Sequence, residues 1–241
     1  MNHLHAACHQ SKFDLVPDRR AEAARYAILQ RIAPVLRHDV AGFLQPVRML
    51  MMVLQRRVQM PEPDLQAIAD NVASANDLTK EAAAGCMNAM GWIGASEGTA
   101  VSVSSGVNEA AALLAMELSN HGLEIHNTIS DDAVAIQQSF FRTVLVGALL
   151  AFCDQRMVGS TLQISMETEG GNTPAANRLM LRMLSGDVAD VASAGSSGAP
   201  GLDRQSRRID WTDVEAMAGP FGVAVARGEG WLAVALPQEV S

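Results

Sequence analysis

RRAEAARYAILQRIAPVLRHDVAGFLQPVRMLMMVLQRRVQM, residues 19–60, is the stretch of sequence that decides the fold. Only Pro34, Gly42 and Pro46 stand in it as helix breakers, and its apolar residues recur at spacings of three and four. Such spacing predicts one long amphipathic helix with a continuous apolar stripe. The stripe consists of Ile28, Ile32, Val35, Leu36, Val40, Phe43, Val47, Leu50, Leu54 and Val58.

A second helix is predicted directly after the first. The segment MPEPD at 60–64 indicates a stop and a restart, with Pro63 and Asp64 in the first turn of the new helix. Two long helices joined by a short turn form an antiparallel hairpin. A lone hairpin leaves both stripes uncovered, so it either packs on the rest of the chain or pairs with a second copy into a four-helix bundle. We expect the bundle, a homodimer. The second stripe consists of Leu65, Ile68, Val72, Ala75, Ala82, Cys86, Met90 and Ile93.

The composition of the 241 residues restricts the classes of function. With 18 basic against 26 acidic side chains and a formal net charge of −8, the chain offers no basic stripe, so neither nucleic acid nor a membrane is expected as a partner. No apolar run reaches the about 20 residues of a membrane span, and the start lacks the features of a signal peptide. The cysteines are odd in number and widely spaced, which predicts reduced thiols; they are Cys8, Cys86 and Cys153. We therefore expect a cytoplasmic protein.

The composition changes at GASEGT, residues 94–99, which predicts a boundary between two domains. We expect a disordered segment at 1–18, the helical hairpin at 19–95 and an α/β domain at 99–241, an α+β fold class. Between 186 and 206 the sequence is rich in Gly, Ser and Ala, which indicates a mobile loop. The α/β elements are predicted as strands at 101–104, 123–129, 162–167 and 179–183, helices at 108–119 and 136–158, a short helix capped at Asp210, and a closing hairpin turned at 227–230.

His38 is the chemically interesting residue of the first helix. On a helical wheel it lies opposite the apolar stripe, and Asp39 follows it. Gly42, one turn beyond, leaves room for another molecule to approach the imidazole closely. The simpler alternative is that His38 is only a solvated surface histidine. The residues that share its outward face are Arg31, Pro34, Gly42, Gln45 and Met49.

The run Arg37-His38-Asp39, followed by Leu44, Pro46 and a second helix, resembles the phosphoacceptor motif of histidine kinases. The resemblance implies that His38 is the phosphoacceptor and that Asp39 is its general base or orienter. One departure is that Pro46 lies farther from the histidine than the proline of the commonest family motif does. The expected contacts of a protein partner are Arg31, Arg37, Gly42, Gln45 and Met49.

The rest of the chain is similar to the ATP-binding domain of the same family, a two-layer α/β sandwich, and most of all near its end at GPFGVAV, 219–225. Its catalytic positions differ. The two asparagines that supply the magnesium ligand fall on Gly147 and Ala151, which have no side-chain oxygen, and Mg²⁺ requires oxygen ligands. The Asp-x-Gly-x-Gly box is also missing, with only Ser185-Gly186-Asp187 in its place. The resemblance therefore implies a degenerate domain, with no cofactor and no metal bound by this chain and no ATP binding expected.

Other candidates carry less. The loop at 195–202 (GSSGAPGL) is either a phosphate cradle or, as we expect, a remnant of the ATP lid. His3, His5, Cys8 and His9 are expected to bind zinc only incidentally. His121 and His126 are expected to be structural.

Together these features predict a dimeric histidine phosphotransferase or pseudo-kinase of two-component signalling, resembling the dimeric phosphotransferases of bacterial phosphorelays. A phosphoryl group would pass between His38 and the aspartate of a response-regulator receiver domain, which would supply Mg²⁺. Two alternatives stay open: a divergent but active histidine autokinase, and a non-catalytic dimeric adaptor.

Overall fold

The computed structural model describes residues 18–94, 99–130, 134–154, 160–168, 177–184 and 207–237. Two long helices form an antiparallel hairpin, and a mixed sheet with helices follows it, which confirms the predicted α+β class. Its elements are α1 (Arg19–Val58), α2 (Leu65–Ile93), β1 (Ala100–Ser102), α3 (Val103–Leu113), α4 (Ala115–Asn120), β2 (Leu123–Asn127), β3 (Ala135–Gln137), α5 (Gln138–Phe140), a π-helical segment (Phe141–Leu145), α6 (Val146–Asp154), β4 (Ser160–Thr168), β5 (Asn177–Leu184), α7 (Trp211–Ala218), a 3-10 turn (Gly219–Phe221), β6 (Val225–Gly228) and β7 (Trp231–Ala235).

Local capping sets the ends of the two hairpin helices. Asp18 accepts a hydrogen bond from the backbone N–H of Arg20 at 2.9 Å at the start of α1. Asp64 does the same for Ala67 at 3.0 Å before α2, so it is the N-cap and not, as predicted, a residue of the first turn. Neither Pro34 nor Pro46 ends α1. The predicted hairpin is confirmed to within two residues at its helix ends.

The first half of α1 and the end of α2, with Ala89 and Trp92, pack on the α/β unit, and the far part of the hairpin extends beyond it. Ile28, Ile32 and Leu36 are buried in the core of the α/β unit, whereas past Leu36 only Leu54 of α1 is buried. One half of the stripe is thus covered by the chain itself, which is the alternative we did not expect. The far half contacts α2 and keeps large apolar side chains exposed.

A five-stranded sheet in the order β2-β4-β5-β7-β6 forms the base of the α/β unit. The β2–β4 pair is parallel, and the other pairs are antiparallel. β1 and β3 form a separate antiparallel pair. Alternate strand residues on one face are fully buried and pack against the helices in a single hydrophobic core. These residues are Leu162, Ile164, Leu179, Leu181, Leu232 and Val234.

Two predicted elements were wrong in part. Residues 101–104 were expected as a strand, but the Ser102 hydroxyl caps a helix by accepting from the N–H of Ser105 at 3.2 Å, so α3 begins at Val103. Residues 136–158 were expected to be largely helical, but Ile136 pairs with Val101 in a strand. The capped short helix at Asp210 and the closing hairpin are confirmed.

Several predicted features lie outside the described residues. They are the segment 1–17 with its zinc candidates His3, His5, Cys8 and His9, the boundary residues 95–98, and the loop with Ser185-Gly186-Asp187 and the glycine-rich run 195–202. Among the residues described, no helix combines the length and apolar character needed to cross a bilayer.

Candidate functional site

His38 lies on α1 at the point where the α/β unit stops covering the helix. Leu36, two residues earlier, is buried, while the His38 side chain is 88% exposed. Its Nδ1 is 3.4 Å from Oδ1 of Asp39. That separation is longer than the about 2.7–3.2 Å of most N–H···O bonds, so the carboxylate orients the ring loosely. Nε2 has no hydrogen-bond partner among the described residues.

This arrangement is chemically competent for attack on an electrophile. A histidine is largely neutral near pH 7, and in the neutral ring one nitrogen carries the proton while the other has a free lone pair. If Nδ1 carries the proton towards Asp39, the lone pair is on the exposed Nε2. A carboxylate beside Nδ1 also stabilises the positive charge that develops on the ring when Nε2 forms a bond.

Most of the predicted outward face is exposed as expected. Arg37, Gly42, Gln45 and Met49 all lie on the open surface of α1. Around Gly42 the space is open, because a Cβ built on this residue would meet nothing within 4 Å. Gly42, Gln45 and Met49 therefore form, with His38, an accessible strip, and the exposed Arg37 lies beside it. Their contact with a partner stays a prediction, as does the catalytic role of Asp39.

Arg31 is not on that exposed face, and its predicted placement was wrong. Its side chain is only 10% exposed, and it bonds to Oδ2 of Asp154 through Nη1 at 2.7 Å and to Oε1 of Glu117 through Nη2. Burial alone would lower the pKa of the guanidinium, but the two carboxylates outweigh burial and raise it. A helical wheel treats α1 as an isolated helix, whereas α4 and α6 cover this part of it.

A second buried arginine joins the α/β unit to α2. Arg142 donates to Oε1 of Glu109 at 2.6 Å and to Oδ1 of Asn88 at 2.8 Å, and its guanidinium lies 4.8 Å from the ring centroid of Trp92. Sequence reasoning misplaced Arg31 and missed Arg142, because the partners of both arginines are 33 to 123 residues away in the chain. The only local signal is a charged residue beside the apolar run of α6.

The positions where the asparagines of the resembled ATP-binding domain would fall are buried. A Cβ on Gly147 would lie 2.3 Å from the terminal methyl of Met217 and 3.5 Å from Cδ1 of Ile28. Ala151 is buried in the same helix, α6. At this point α6 faces α7 and α1 through close packing, which explains why a glycine is accommodated there.

Other titratable groups have structural settings. Nδ1 of His121 bonds to the carbonyl oxygen of Glu117 at 2.9 Å at the end of α4, the structural role expected of it, and His126 is exposed on β2. Burial, together with the nearby Glu117, raises the pKa of the Cys153 thiol to about 12. Across the described parts of the chain, no three His, Cys, Asp or Glu side chains gather in a group that could hold a metal ion.

No family model matches the sequence, and no curated protein matches it. Solved structures do resemble the fold. A histidine kinase from Burkholderia phymatum is 14% identical, with 92% of this chain and 99% of that chain covered and a TM-score of 0.39. The histidine kinase ThkA in complex with the response regulator protein TrrA is 11% identical, with 92% of this chain and 64% of that chain covered and a TM-score of 0.39. A bacterial phosphotransferase is 14% identical, with 90% of this chain and 96% of that chain covered and a TM-score of 0.32. Likeness at these identities and TM-scores carries no conclusion on activity, which rests on the chain's own residues.

Proposed function

We propose that the chain is a dimeric histidine phosphotransfer protein of two-component signalling, a pseudo-kinase that passes a phosphoryl group between His38 and the aspartate of a response-regulator receiver domain. The observation that carries the proposal is the accessible imidazole, with Nδ1 beside Asp39 and Nε2 free for attack. A buried or doubly bonded histidine would not be able to form a phosphorus–nitrogen bond without prior rearrangement.

The transfer balances with the groups at hand. The Nε2 lone pair attacks the phosphorus of the aspartyl phosphate, the bond from phosphorus to the acyl oxygen breaks, and the aspartate leaves as a carboxylate with that electron pair. The imidazole becomes cationic while its Nδ1 proton stays hydrogen-bonded towards Asp39. Mg²⁺ on the receiver would neutralise charge on the transferring oxygens. The reverse reaction uses the same groups in reverse order.

The charge of α1 supports an approach by an anionic partner. Although the chain carries a net charge of −8, α1 contains eight arginines against Glu22 and Asp39, a net charge of +6. Arg37 and Arg48 are exposed on either side of His38 along the helix. A phosphorylated acidic surface is attracted to such a segment, and the attraction weakens with salt.

The uncovered apolar surface of the hairpin supports a dimer. Its exposed large apolar residues would lie in water in an isolated chain, which is unusual for a soluble monomer. We propose that a second copy covers them in a four-helix bundle. They are Phe43, Leu44, Met51, Met52, Val53 and Val58 of α1 with Leu65, Val72, Met87, Met90 and Ile93 of α2.

The same α/β unit supports a role without ATP. At Gly147 and Ala151 the surface of α6 is closed by packing and offers no oxygen ligand, so the proposal includes no bound nucleotide and no resident metal. Phosphoryl groups would then arrive only on a protein partner. This distinguishes the proposal from an active autokinase, which no feature of the described residues supports.

A small phosphodonor tests the acceptor without knowledge of the partner. Incubation with phosphoramidate should add one acid-labile phosphoryl group, detected by intact mass and ³¹P NMR, because Asp39 orients the ring of His38 whereas the exposed His126 has no such contact within the described residues. His38→Ala should remove it, whereas the matched variant His126→Ala, at another exposed histidine, should keep it. Label that persists in His38→Ala would refute the assignment. A wild-type protein that stays unlabelled would favour the adaptor.

The label should then move to a receiver. Receiver domains from the source genome, mixed one at a time with the phosphorylated protein, should include one that gains the label within seconds to minutes. Asp39→Asn should slow this transfer while leaving association with the receiver unchanged. Equal transfer rates in Asp39→Asn and the wild type would remove the carboxylate from the mechanism.

A further inference from the structure

A cavity of about 510 Å³ lies between α1 and the α4–α6 side of the α/β unit, directly beside His38. Small-molecule sites in proteins span about 300–1,000 Å³ and are mainly apolar with a few placed polar groups. This cavity has both features. Its apolar lining comes from Ile32 and Val35 of α1, Leu113, Leu114 and Met116 near the α3–α4 junction, and Leu150 of α6.

The polar lining divides into groups that are already bonded and groups that are not. Arg31 donates to both Glu117 and Asp154, and Asp154 also accepts from the backbone N–H of Ile209 at 2.8 Å. Arg208, in contrast, is exposed and has no hydrogen bond or ion pair to any residue that the structure describes. Among the lining residues, the polar groups without a partner in the described parts of the chain are therefore the Arg208 guanidinium, the side-chain amides of Gln30 and Asn120, and one ring nitrogen each of His38 and His121. Of these, the guanidinium carries a permanent charge.

We propose that this cavity binds a small amphipathic carboxylate, with an apolar chain against the α1–α4 wall and its head group on Arg208. An anion fits better than a cation, because the charged lining group without a partner is a guanidinium, whereas the carboxylates of the lining, Glu117 and Asp154, are already paired with Arg31. A cation would need Glu117 or Asp154, and taking either from Arg31 leaves a buried guanidinium short of a partner.

The place of the cavity gives the ligand a consequence. His38 is one of the lining residues, so an occupant lies next to the exposed imidazole and within the area that a docked receiver would cover. Bound carboxylate should therefore slow phosphoryl transfer. This consequence rests on the proposed function, whereas binding itself does not.

Calorimetry on the full chain with sodium octanoate tests the binding. We expect saturable binding with a Kd of about 1 mM or below, and about tenfold weaker binding for octylamine and octanol, because they lack the charge-assisted bond. Arg208→Gln should weaken octanoate about tenfold, whereas Arg227→Gln, at an exposed arginine on β6, should not change it. Val35→Phe, which fills the cavity, should abolish binding without changing Arg208.

The outcomes decide the proposal separately from the phosphotransfer. Octylamine binding as tightly as octanoate, absence of saturable octanoate binding, or equal Kd values in Arg208→Gln and Arg227→Gln would each overturn it. Phosphoramidate labelling of His38 without octanoate is unaffected by these results, so a failed ligand site leaves the acceptor assignment intact, and a failed acceptor leaves the calorimetry valid.

Discussion

Removing Arg31 should destabilise the protein more than any exposed arginine of α1 would. Arg31→Met keeps most of the apolar stem and deletes the guanidinium that lies between Glu117 and Asp154. Breaking a buried pair by removing one partner costs about 3–5 kcal/mol, because the remaining charge is left uncompensated. We expect about 3 kcal/mol, the low end, because the Glu117 side chain is 32% exposed and Asp154 keeps the Ile209 N–H.

Thermal unfolding followed by circular dichroism measures the effect. For a chain of 150–250 residues, about 1 kcal/mol shifts Tm by about 2–4 °C, so Arg31→Met should lose about 6–12 °C. Arg37→Met, an identical change at an exposed site on the same helix, is the matched control and should stay within about 1 °C of the wild type. Adding Asp154→Asn to Arg31→Met should recover part of the loss. Equal Tm values for Arg31→Met and Arg37→Met would refute the reasoning.

Three further predictions concern Asp210, Cys153 and Gly147. Burial alone would raise the pKa of Asp210, but the backbone N–H of Asp213 and the Arg20 guanidinium outweigh burial and lower the pKa. The ionised carboxylate therefore stabilises the fold above the ordinary Asp range, and this stabilisation is lost as the pH falls through the folded-state pKa. Asp210→Asn, which keeps the cap, should lower Tm at pH 7 and match the wild type in acid, and a pH-independent difference in Tm would contradict this. Cys153, with a pKa of about 12, should resist a thiol reagent in the native protein and react only on unfolding, whereas the partly exposed Cys86 should react in the native state. Single-cysteine variants measure the two rates separately, and fast labelling of Cys153 in the native protein would count against its burial. Gly147→Asn should overpack α6 and lower the free energy of unfolding, measured in urea, by about 1–3 kcal/mol. It should confer no binding of Mg-ATP in calorimetry, and a gain of nucleotide affinity would contradict the close packing of α6 at this position.

The elements of the fold were largely predictable because their signals are local. The three-and-four spacing of apolar residues in 19–60, the restart at Asp64 and the cap at Asp210 each act within a few residues, and all appear in the structure. Within 136–158 the helical prediction holds from Gln138 to Asp154, and only its start was wrong, because an apolar run fits a buried strand and a buried helix equally well. There the pairing of Ile136 with Val101, a contact across 35 positions, decided the outcome.

The candidate site was predictable only where it depends on one helix. His38 on the outward face of α1 follows from the wheel alone, and the structure leaves it exposed. Arg31 differs from His38 by seven positions, about two turns, and so lies on nearly the same face of the helix. It is nevertheless buried, because Glu117 and Asp154 approach from the α/β unit. Nothing in the sequence near Arg31 marks where that cover ends.

Three arginines that hold the hairpin to the α/β unit also bear on how a phosphoryl group can reach His38. Arg20 bonds to the fully buried Asp213, Arg31 to α4 and α6, and Arg142 to α2. A kinase domain that delivers its own nucleotide has to move its binding site up to the histidine. Here the α/β unit is bonded to both helices, and Gly147 of α6, the position that the resemblance assigns to an asparagine of the ATP site, packs against Met217. Such a unit suits a fixed wall beside His38, which supports delivery of the phosphoryl group by a separate protein that docks on the open strip of α1.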